Sequence, residues 1–282
     1  MIKINNKFKG IIYIIFAAFG FSGMSLFVKL AGDLPAFQKA FFRNFIALIF
    51  MFFIIIKDKT GFKPERKNIP DILGRSIFGT IGLVCNFYAI GHLNLSDANM
   101  LNKLSPFFSI LFSFLIIKEK PNFVQLIRVS VAFFGSVLII KPGFSNSEFM
   151  PALLGLVGGM GAGLAYTFVR RLGNRGESGS KIIFWFSAFS CIVCLVPAIV
   201  TYEPMSIKQF LYLIMAGVFA CIGQVGITKA YFFAPAKEIS VYDYTQVLFA
   251  AILGLIFFGE FPDILSIIGY LMIILSGISM FV

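Results

Sequence analysis

Residues 98–120 read ANMLNKLSPFFSILFSFLIIKEK, an apolar stretch that carries a lysine, Lys103, near its beginning. Its apolar part is about 20 residues long, the length that an α-helix needs to cross roughly 30 Å of hydrocarbon. Nine similar runs occur elsewhere in the 282 residues, separated by short charged patches. The chain is 59% hydrophobic and 13% charged, with a mean hydropathy of +0.91, which exceeds what one soluble core could bury. The sequence therefore predicts an integral membrane protein.

The ten apolar runs are continuous rather than alternating, which favours membrane-spanning helices over a β-barrel. The predicted fold class is an all-α integral membrane protein with ten transmembrane helices. We place the spans at Phe8–Leu30, Ala36–Ile56, Ile69–Gly91, Ser96–Ile117, Pro121–Ile140, Met150–Arg171, Ser180–Val200, Ser206–Tyr231, Ile239–Phe258 and Pro262–Val282.

Lysine and arginine are concentrated on one side of this topology. Fifteen of the 24 Lys and Arg residues fall in segments that share one side with the N-terminus, and four fall at the opposite edges. The positive-inside rule then predicts a cell (inner, cytoplasmic) membrane protein with both termini in the cytoplasm. The basic loops also account for the net charge of +11 by attracting anionic lipid headgroups, so no nucleic-acid partner is expected.

An internal repeat appears when the sequence is shifted against itself by 141 residues. Each copy, residues 1–141 and residues 142–282, contains five predicted spans. Because five is odd, the second copy must enter the membrane upside down, and inverted repeats of this kind are typical of transporters that work by alternating access. The matched positions include Gly20 with Gly161, Gly82 with Gly223, Glu119 with Glu260, and Pro121 with Pro262.

Two long segments resemble the signature segments of the drug/metabolite transporter superfamily, in its ten-span EamA-type branch. They are NFYAIGHLNLSDANMLNKLSPFFSILFSFLIIKEKPN at 86–122 and KAYFFAPAKEISVYDYTQVLFAAILGLIFFGEFPD at 229–263. The resemblance extends over essentially the whole chain and implies one five-helix EamA-type domain in each half. It also implies a secondary carrier whose central cavity is lined mainly by helices 1, 3, 4, 6, 8 and 9. Lys103 and Lys118 depart from the pattern, since relatives often have a neutral residue and a glycine there.

Polar side chains collect at similar depths inside the predicted spans. Counting 1.5 Å per residue puts Arg43 and Lys103 about 10 Å below the outer boundary, with a matching layer of the second copy nearer the cytosol. A charge in lipid costs at least ~2.5 kcal/mol, so the helix faces that carry these residues should line a hydrated cavity. The predicted substrate-binding residues are Arg43, Asn86, Asn99, Asn102, Lys103, Tyr166, Trp185, Gln224, Asp243 and Tyr244.

This set predicts an anionic or amphoteric organic metabolite, for example an amino-acid-, vitamin- or nucleoside-like molecule. Its negative group would contact Arg43 and Lys103. Its planar or cationic part would contact the matching layer of the second copy. An ion pair between Lys103 and Asp243 is an alternative, although the drawn spans separate the two by about 10 Å along the membrane normal. Arg43 could instead extend toward the outer headgroups.

Other polar and helix-breaking residues are interpreted structurally. Arg75 is expected at the cytosolic boundary, and Glu119 and Glu260 are expected to fix the geometry of two helical hairpins. Pro106 removes a backbone hydrogen bond beside Lys103 and is predicted to act as a hinge.

Several function classes fit the composition poorly. A single histidine and a solitary interior aspartate do not supply the acid–base pair of an intramembrane enzyme, so no catalytic residue, metal site or cofactor is predicted. A channel is the main alternative, although channels favour rings of identical groups and the two layers here differ. The expected partners are a small-molecule metabolite and membrane lipids, with a proton or an exchanged solute as the coupled species. The chain is expected to be a monomer or a homodimer.

Overall fold

The computed structural model describes residues 6–105, 107–109, 111–112, 123–140, 148–233 and 240–279. All regular structure in these ranges is helical, which confirms the predicted all-α class for this part of the chain. Short 3-10 helices at Arg66–Asn68 and Ser240–Tyr244 precede the third and the ninth α-helix. The α-helices whose bounds are described are α1 (Asn6–Leu30), α2 (Ala36–Asp58), α3 (Ile69–His92), α4 (Leu95–Asn102), α5 (Phe123–Ile140), α6 (Phe149–Asn174), α7 (Gly179–Val200), α8 (Ile207–Phe233), α9 (Thr245–Phe258) and α10 (Ile264–Ser279).

Six of these helices are long and apolar enough to cross a membrane, namely α1, α2, α3, α6, α7 and α8. Large apolar side chains point away from the bundle: Ile192 is 72% exposed and Val196 is 66% exposed on α7. Water would penalise such a surface, whereas acyl chains solvate it. The chain is therefore a multi-pass membrane protein, as predicted.

The helix bounds and the packing pairs both follow the offset of 141. Adding 141 to the bounds of α1, α2, α3 and α5 gives ranges that overlap α6, α7, α8 and α10 nearly end to end. Helix α1 packs along α8, and their counterparts α6 and α3 pack along each other. Helices α2 and α5 each pack against their own counterpart, α7 and α10. A two-fold axis that relates the two halves would produce this pattern.

Matched glycines lie where the paired long helices approach each other closely. A Cβ atom on Gly20 would lie 2.6 Å from the backbone nitrogen of Gly223, where α1 meets α8. A Cβ atom on Gly161 would lie 2.9 Å from Cα of Gly82, where α6 meets α3. Both distances are far below van der Waals contact, so these helices touch backbone to backbone only because the side chains are absent.

The fourth span is not one continuous helix, which corrects the prediction for Ser96–Ile117. Helix α4 ends at Asn102, and Lys103 and Leu104 form a turn in which the Lys103 N–H donates to the Asn99 carbonyl at 3.1 Å. The sequence offers a reason for an interruption nearby, because proline has no N–H to donate to the carbonyl four residues earlier. Pro106 itself lies outside the described residues, as does its predicted hinge role.

The ninth span is interrupted at the corresponding place. The predicted span Ile239–Phe258 begins with the 3-10 helix Ser240–Tyr244, and α9 starts only at Thr245. Tyr244 matches Lys103 at the offset of 141. Each copy therefore changes its helical geometry at the same point of its fourth element.

The carboxylate of Glu260 closes one end of the bundle. It accepts a hydrogen bond from the Leu95 N–H at 2.8 Å and forms an ion pair with Lys29, which also donates to the Leu93 carbonyl at 2.6 Å. Glu260 follows α9, whereas Leu95 begins α4 and Lys29 lies in the last turn of α1. Glu260 therefore ties the second copy to the first, a contact that the sequence did not predict. We name this end of the bundle the Glu260 end.

The carboxylate of Glu177 joins the two copies at the opposite end, named here the Glu177 end. It accepts hydrogen bonds from the Asn68 side chain at 3.0 Å and from the backbone N–H groups of Glu65 and Ser178, both at 3.2 Å. Burial opposes ionisation of this carboxyl group, but these hydrogen bonds and the charge of Lys181 outweigh burial. Together they hold the pKa of Glu177 below its ordinary value of 4.5.

This environment predicts a pH dependence of stability. A depressed pKa stabilises the folded state above the ordinary pKa, and that contribution is lost as the pH falls through about 4.5 and below. We expect Glu177→Gln to lower stability by about 1–3 kcal/mol at pH 7 and to flatten the loss of stability below about pH 5. Thermal unfolding of the purified protein in detergent between pH 7 and pH 4 measures both effects. The exposed Glu65→Gln provides the control, and parallel pH profiles for wild type and Glu177→Gln would contradict the assignment.

Candidate substrate-binding cavity

A cavity lies at the centre of the bundle, between helices of the first copy (α1 to α4) and of the second copy (α6 to α9). It is lined by charged and amide side chains together with the aromatic rings of Phe21, Tyr166 and Phe186. The residues that give it this character are Arg43, Arg75, Asn86, Asn102, Lys103, Tyr166, Phe186, Gln224 and Gln246. A smaller pocket shares Arg75, Tyr166 and Gln224 and reaches Ile182, one turn from the start of α7. The empty space thus extends from the centre toward the Glu177 end.

Six of the ten predicted binding residues line this cavity. They are Arg43, Asn86, Asn102, Lys103, Tyr166 and Gln224. The structure therefore brings together most of the polar groups that the sequence placed at intermediate depth. Arg43 is 1% exposed, so its guanidinium does not extend toward the headgroups.

The expected separation of Lys103 and Asp243 is wrong. Lys103 Nζ donates to Asp243 Oδ2 at 2.6 Å, and both side chains are buried. The count from the span ends assumed two straight helices, but the turn at Lys103 and the 3-10 helix that contains Asp243 bring them to one level. Lys103 therefore enters the cavity as one member of a neutral ion pair rather than as a free cation.

Asn99 supports the cavity from behind instead of lining it. Its Oδ1 atom accepts hydrogen bonds from Gln246 Nε2 at 2.5 Å and from Ser25 Oγ at 3.1 Å. Ser22 Oγ in turn donates to the Gln246 carbonyl at 2.8 Å. This network links α1, α4 and α9 and orients Gln246, which does line the cavity.

Trp185 and Tyr244 are not among the lining residues. Trp185 is 37% exposed at the Glu177 end, where its Nε1 donates to the Phe62 carbonyl at 2.9 Å. Its neighbour Phe186 occupies the cavity wall instead and is 2% exposed. Tyr244 is buried beside Asp243, away from the lining. A shift of one residue on a helix turns a side chain by about 100°, which explains the error at Trp185.

Arg75 and Phe186 are functional candidates that the sequence did not reveal. The Arg75 guanidinium carbon lies 4.1 Å from the Phe186 ring centroid, and that of Arg43 lies 5.7 Å from the same centroid. Gly79, one turn after Arg75, leaves the space that the guanidinium occupies, because a Cβ there would be 2.0 Å from Arg75 Nη1. The arginine and glycine four residues apart were the available sequence signal.

The comparisons with known proteins fit this architecture. Residues 8–141 and residues 149–282 each match the EamA-like transporter family. The chain belongs to this family. Among curated proteins, it is 33% identical to a pseudopaline exporter of Pseudomonas aeruginosa, over 96% of this chain and 95% of the relative. It is 28% identical to human solute carrier family 35 member G1, over 95% of this chain and 78% of the relative.

A solved crystal structure shares the fold of this EamA-like chain. The TM-score is 0.68 with 16% sequence identity, and the match covers 96% of both chains. At that identity the similarity supports the fold alone. A Helicobacter pylori relative that is 26% identical, over 95% of this chain and 93% of its own length, is likewise named a transporter.

Polar atoms at the cavity of this EamA-like transporter have unused hydrogen-bonding capacity. Arg43 Nε, Arg75 Nε, Asn86 Oδ1 and Gln246 Oε1 are buried and make no hydrogen bond to any part of the chain that the structure describes. A buried polar group without a partner costs about 1–3 kcal/mol. A polar solute or water in the cavity would recover that free energy.

Proposed function

We propose that the chain is a secondary transporter that moves a small anionic or amphoteric organic metabolite across the cytoplasmic membrane by alternating access. The observation that carries this proposal is the central cavity, which lies between the two copies and is lined by buried arginines and amides. Charged groups inside a membrane protein occur where they face a solute pathway or one another.

Ten helices in two inverted five-helix copies are part of this proposal. The paired packing of α1 with α8 and of α6 with α3 supports it, as do the matched glycine contacts. Interrupted helices beside a central site are a recurring feature of carriers built from inverted repeats. The turn at Lys103 and the 3-10 helix before Thr245 supply two such interruptions.

The two ends of the bundle differ in a way that suits alternating access. The Glu260 end is held by the contacts of Glu260 with Lys29 and the Leu95 N–H, whereas the central space extends toward the Glu177 end. With both termini in the cytoplasm, the Glu260 end faces outward. We therefore assign this conformation to an inward-directed state. The pseudopaline exporter among the relatives makes efflux the first direction to assay.

Counterflow in proteoliposomes tests the proposal. Purified protein should accelerate uptake of a labelled metabolite when the same metabolite is preloaded inside, and uptake should saturate. Imposing a pH gradient in a parallel series separates proton coupling from solute exchange. Ohmic currents without saturation would indicate a channel and would contradict the proposal.

Arg43→Ala provides the site-specific arm of this test. We expect it to weaken apparent substrate affinity at least tenfold, because it removes a charge-assisted hydrogen-bond donor that is worth about 1.4 kcal/mol or more. Arg170→Ala is the matched control, since Arg170 is exposed near the end of α6. Equal affinities for wild type, Arg43→Ala and Arg170→Ala would remove Arg43 from the site.

A further inference from the structure

The cavity carries more positive charge than its own acidic groups neutralise. Arg43 is 1% exposed and Arg75 is 4% exposed, and neither forms an ion pair with an acidic side chain in the described ranges. Lys103 is the third cation of the lining, and Asp243 already neutralises it. Two formal positive charges therefore remain. Buried charges without a partner are costly, and a solute with two negative charges would offset that cost.

The two arginines are arranged around one ring. Their guanidinium carbons lie 5.7 Å and 4.1 Å from the Phe186 centroid, so the two carbons are less than about 10 Å apart. The ring engages the cationic groups through its π-system. Hydrogen-bonding edges stay available, since the Nε atom of each arginine has no partner among the described residues. Guanidinium edges of this kind bind carboxylate and phosphate oxygens in pairs.

We propose that the transported solute is a small organic dianion and that Arg43 and Arg75 together bind its two negative charges beside Phe186. This inference rests on the proposed transport function and narrows its substrate class. Two carboxylates on a short chain and one phosphate monoester share the required chemistry. The distance limit of about 10 Å between the guanidinium carbons fits both. The Lys103–Asp243 pair contributes no net charge to this selection.

Gly79 sets the position of the Arg75 guanidinium. A Cβ at Gly79 would lie 2.0 Å from Arg75 Nη1 and 3.0 Å from Phe186 Cε2. Alanine there must displace the guanidinium while it leaves every charge in place. It also favours the helix over glycine, so α3 itself is not weakened. Gly79→Ala is therefore a test of guanidinium position, separate from the test of charge that Arg75→Gln provides.

The experiment measures inhibition of counterflow and thermal stabilisation of the purified protein by matched solutes. Succinate is compared with butyrate, and glycerol 3-phosphate is compared with glycerol. A bound ligand stabilises the protein in proportion to RT ln(1 + [L]/Kd), so both readouts report the same preference. For wild type we expect at least one dianion to bind at least tenfold more tightly than its matched partner. The two pairs distinguish dicarboxylate from phosphate monoester.

The variants then locate the preference. Arg75→Gln and Gly79→Ala should each reduce the preference for the dianion about tenfold. The binding of butyrate or glycerol should change little. Arg170→Gln, which removes an exposed arginine, should behave like wild type. If Arg75→Gln does not fold, Arg75→Lys keeps the charge without the planar fork and should still lose part of the preference.

Failure of this inference is distinguishable from failure of the transport function. Counterflow of a neutral or singly charged solute, with no gain for its dianionic analogue, would overturn the dianion assignment and leave transport intact. An unchanged preference in both Arg75→Gln and Gly79→Ala would overturn it too, as would the absence of stabilisation by either dianion. The absence of counterflow for every solute would instead reject the transport function.

Discussion

Lys103→Met is expected to destabilise the folded protein by about 3–5 kcal/mol, because it leaves the Asp243 carboxylate buried without its partner. Lys103 Nζ lies 2.6 Å from Asp243 Oδ2, and the two side chains are 6% and 8% exposed. The other carboxylate oxygen, Oδ1, makes no hydrogen bond to the described residues that would compensate. Few other single substitutions near the cavity would leave so deeply buried a charged group without its partner.

The double variant Lys103→Met with Asp243→Asn tests whether the lost stability comes from the unpaired charge. It removes both charges, so most of the stability lost in Lys103→Met should return. Thermal and denaturant unfolding in detergent measures the four states of this cycle. Lys57→Met is the control, since Lys57 is an exposed lysine in the last turn of α2. Additive losses from the two single substitutions would show that the pair does not form.

The second large effect is expected at the glycine contacts between the copies. Gly20→Ala and Gly161→Ala should each cost about 1–3 kcal/mol or more, because the new methyl group meets backbone that has no free rotation to move aside. The nearest backbone atoms are 2.6 Å and 2.9 Å away. Helices α1 and α8, or α6 and α3, would have to separate to admit it.

Gly91→Ala is the matched control for this pair. Gly91 lies on α3 near its end, and a Cβ there meets only Lys39 Nζ, at 3.9 Å. We expect Gly91→Ala to be neutral or slightly stabilising, because alanine favours the helix. Membrane yield, monodispersity and thermal unfolding compare the three variants. Equal behaviour of all three would mean that close approach at Gly20 and Gly161 is not required.

The sequence predicted the helical class well because the bilayer imposes a simple rule on helix length. Continuous apolar runs of about 20 residues have few alternatives in a membrane, and six of them appear as long apolar helices in the structure. The glycine pattern at the offset of 141 also had a direct structural meaning. Gly20 lies against Gly223, and Gly161 lies against Gly82, where two pairs of long helices meet backbone to backbone.

The candidate site was predicted less completely, because depth was counted as if every span were a straight helix. The turn at Lys103 and the 3-10 helix before Thr245 invalidate that count, which is why the pairing of Lys103 with Asp243 was misjudged. The sequence predicts Arg75 at the boundary, because a count along one helix does not show where its side chain reaches. Its guanidinium extends over Gly79 to Phe186, a contact that depends on how α3 packs against α7.

We propose that the Glu260 end must open for solute to pass. A disulfide between Leu95→Cys and Gly254→Cys would lock this end, since a Cβ on Gly254 lies 3.5 Å from Cβ of Leu95, within the range of disulfide geometry. The background replaces the four native cysteines with alanine, and each single-cysteine variant serves as a control. Counterflow in proteoliposomes is measured after oxidation and again after reduction. We expect oxidation to abolish counterflow and reduction to restore it, whereas unchanged counterflow with the disulfide fully formed would show that the Glu260 end need not open.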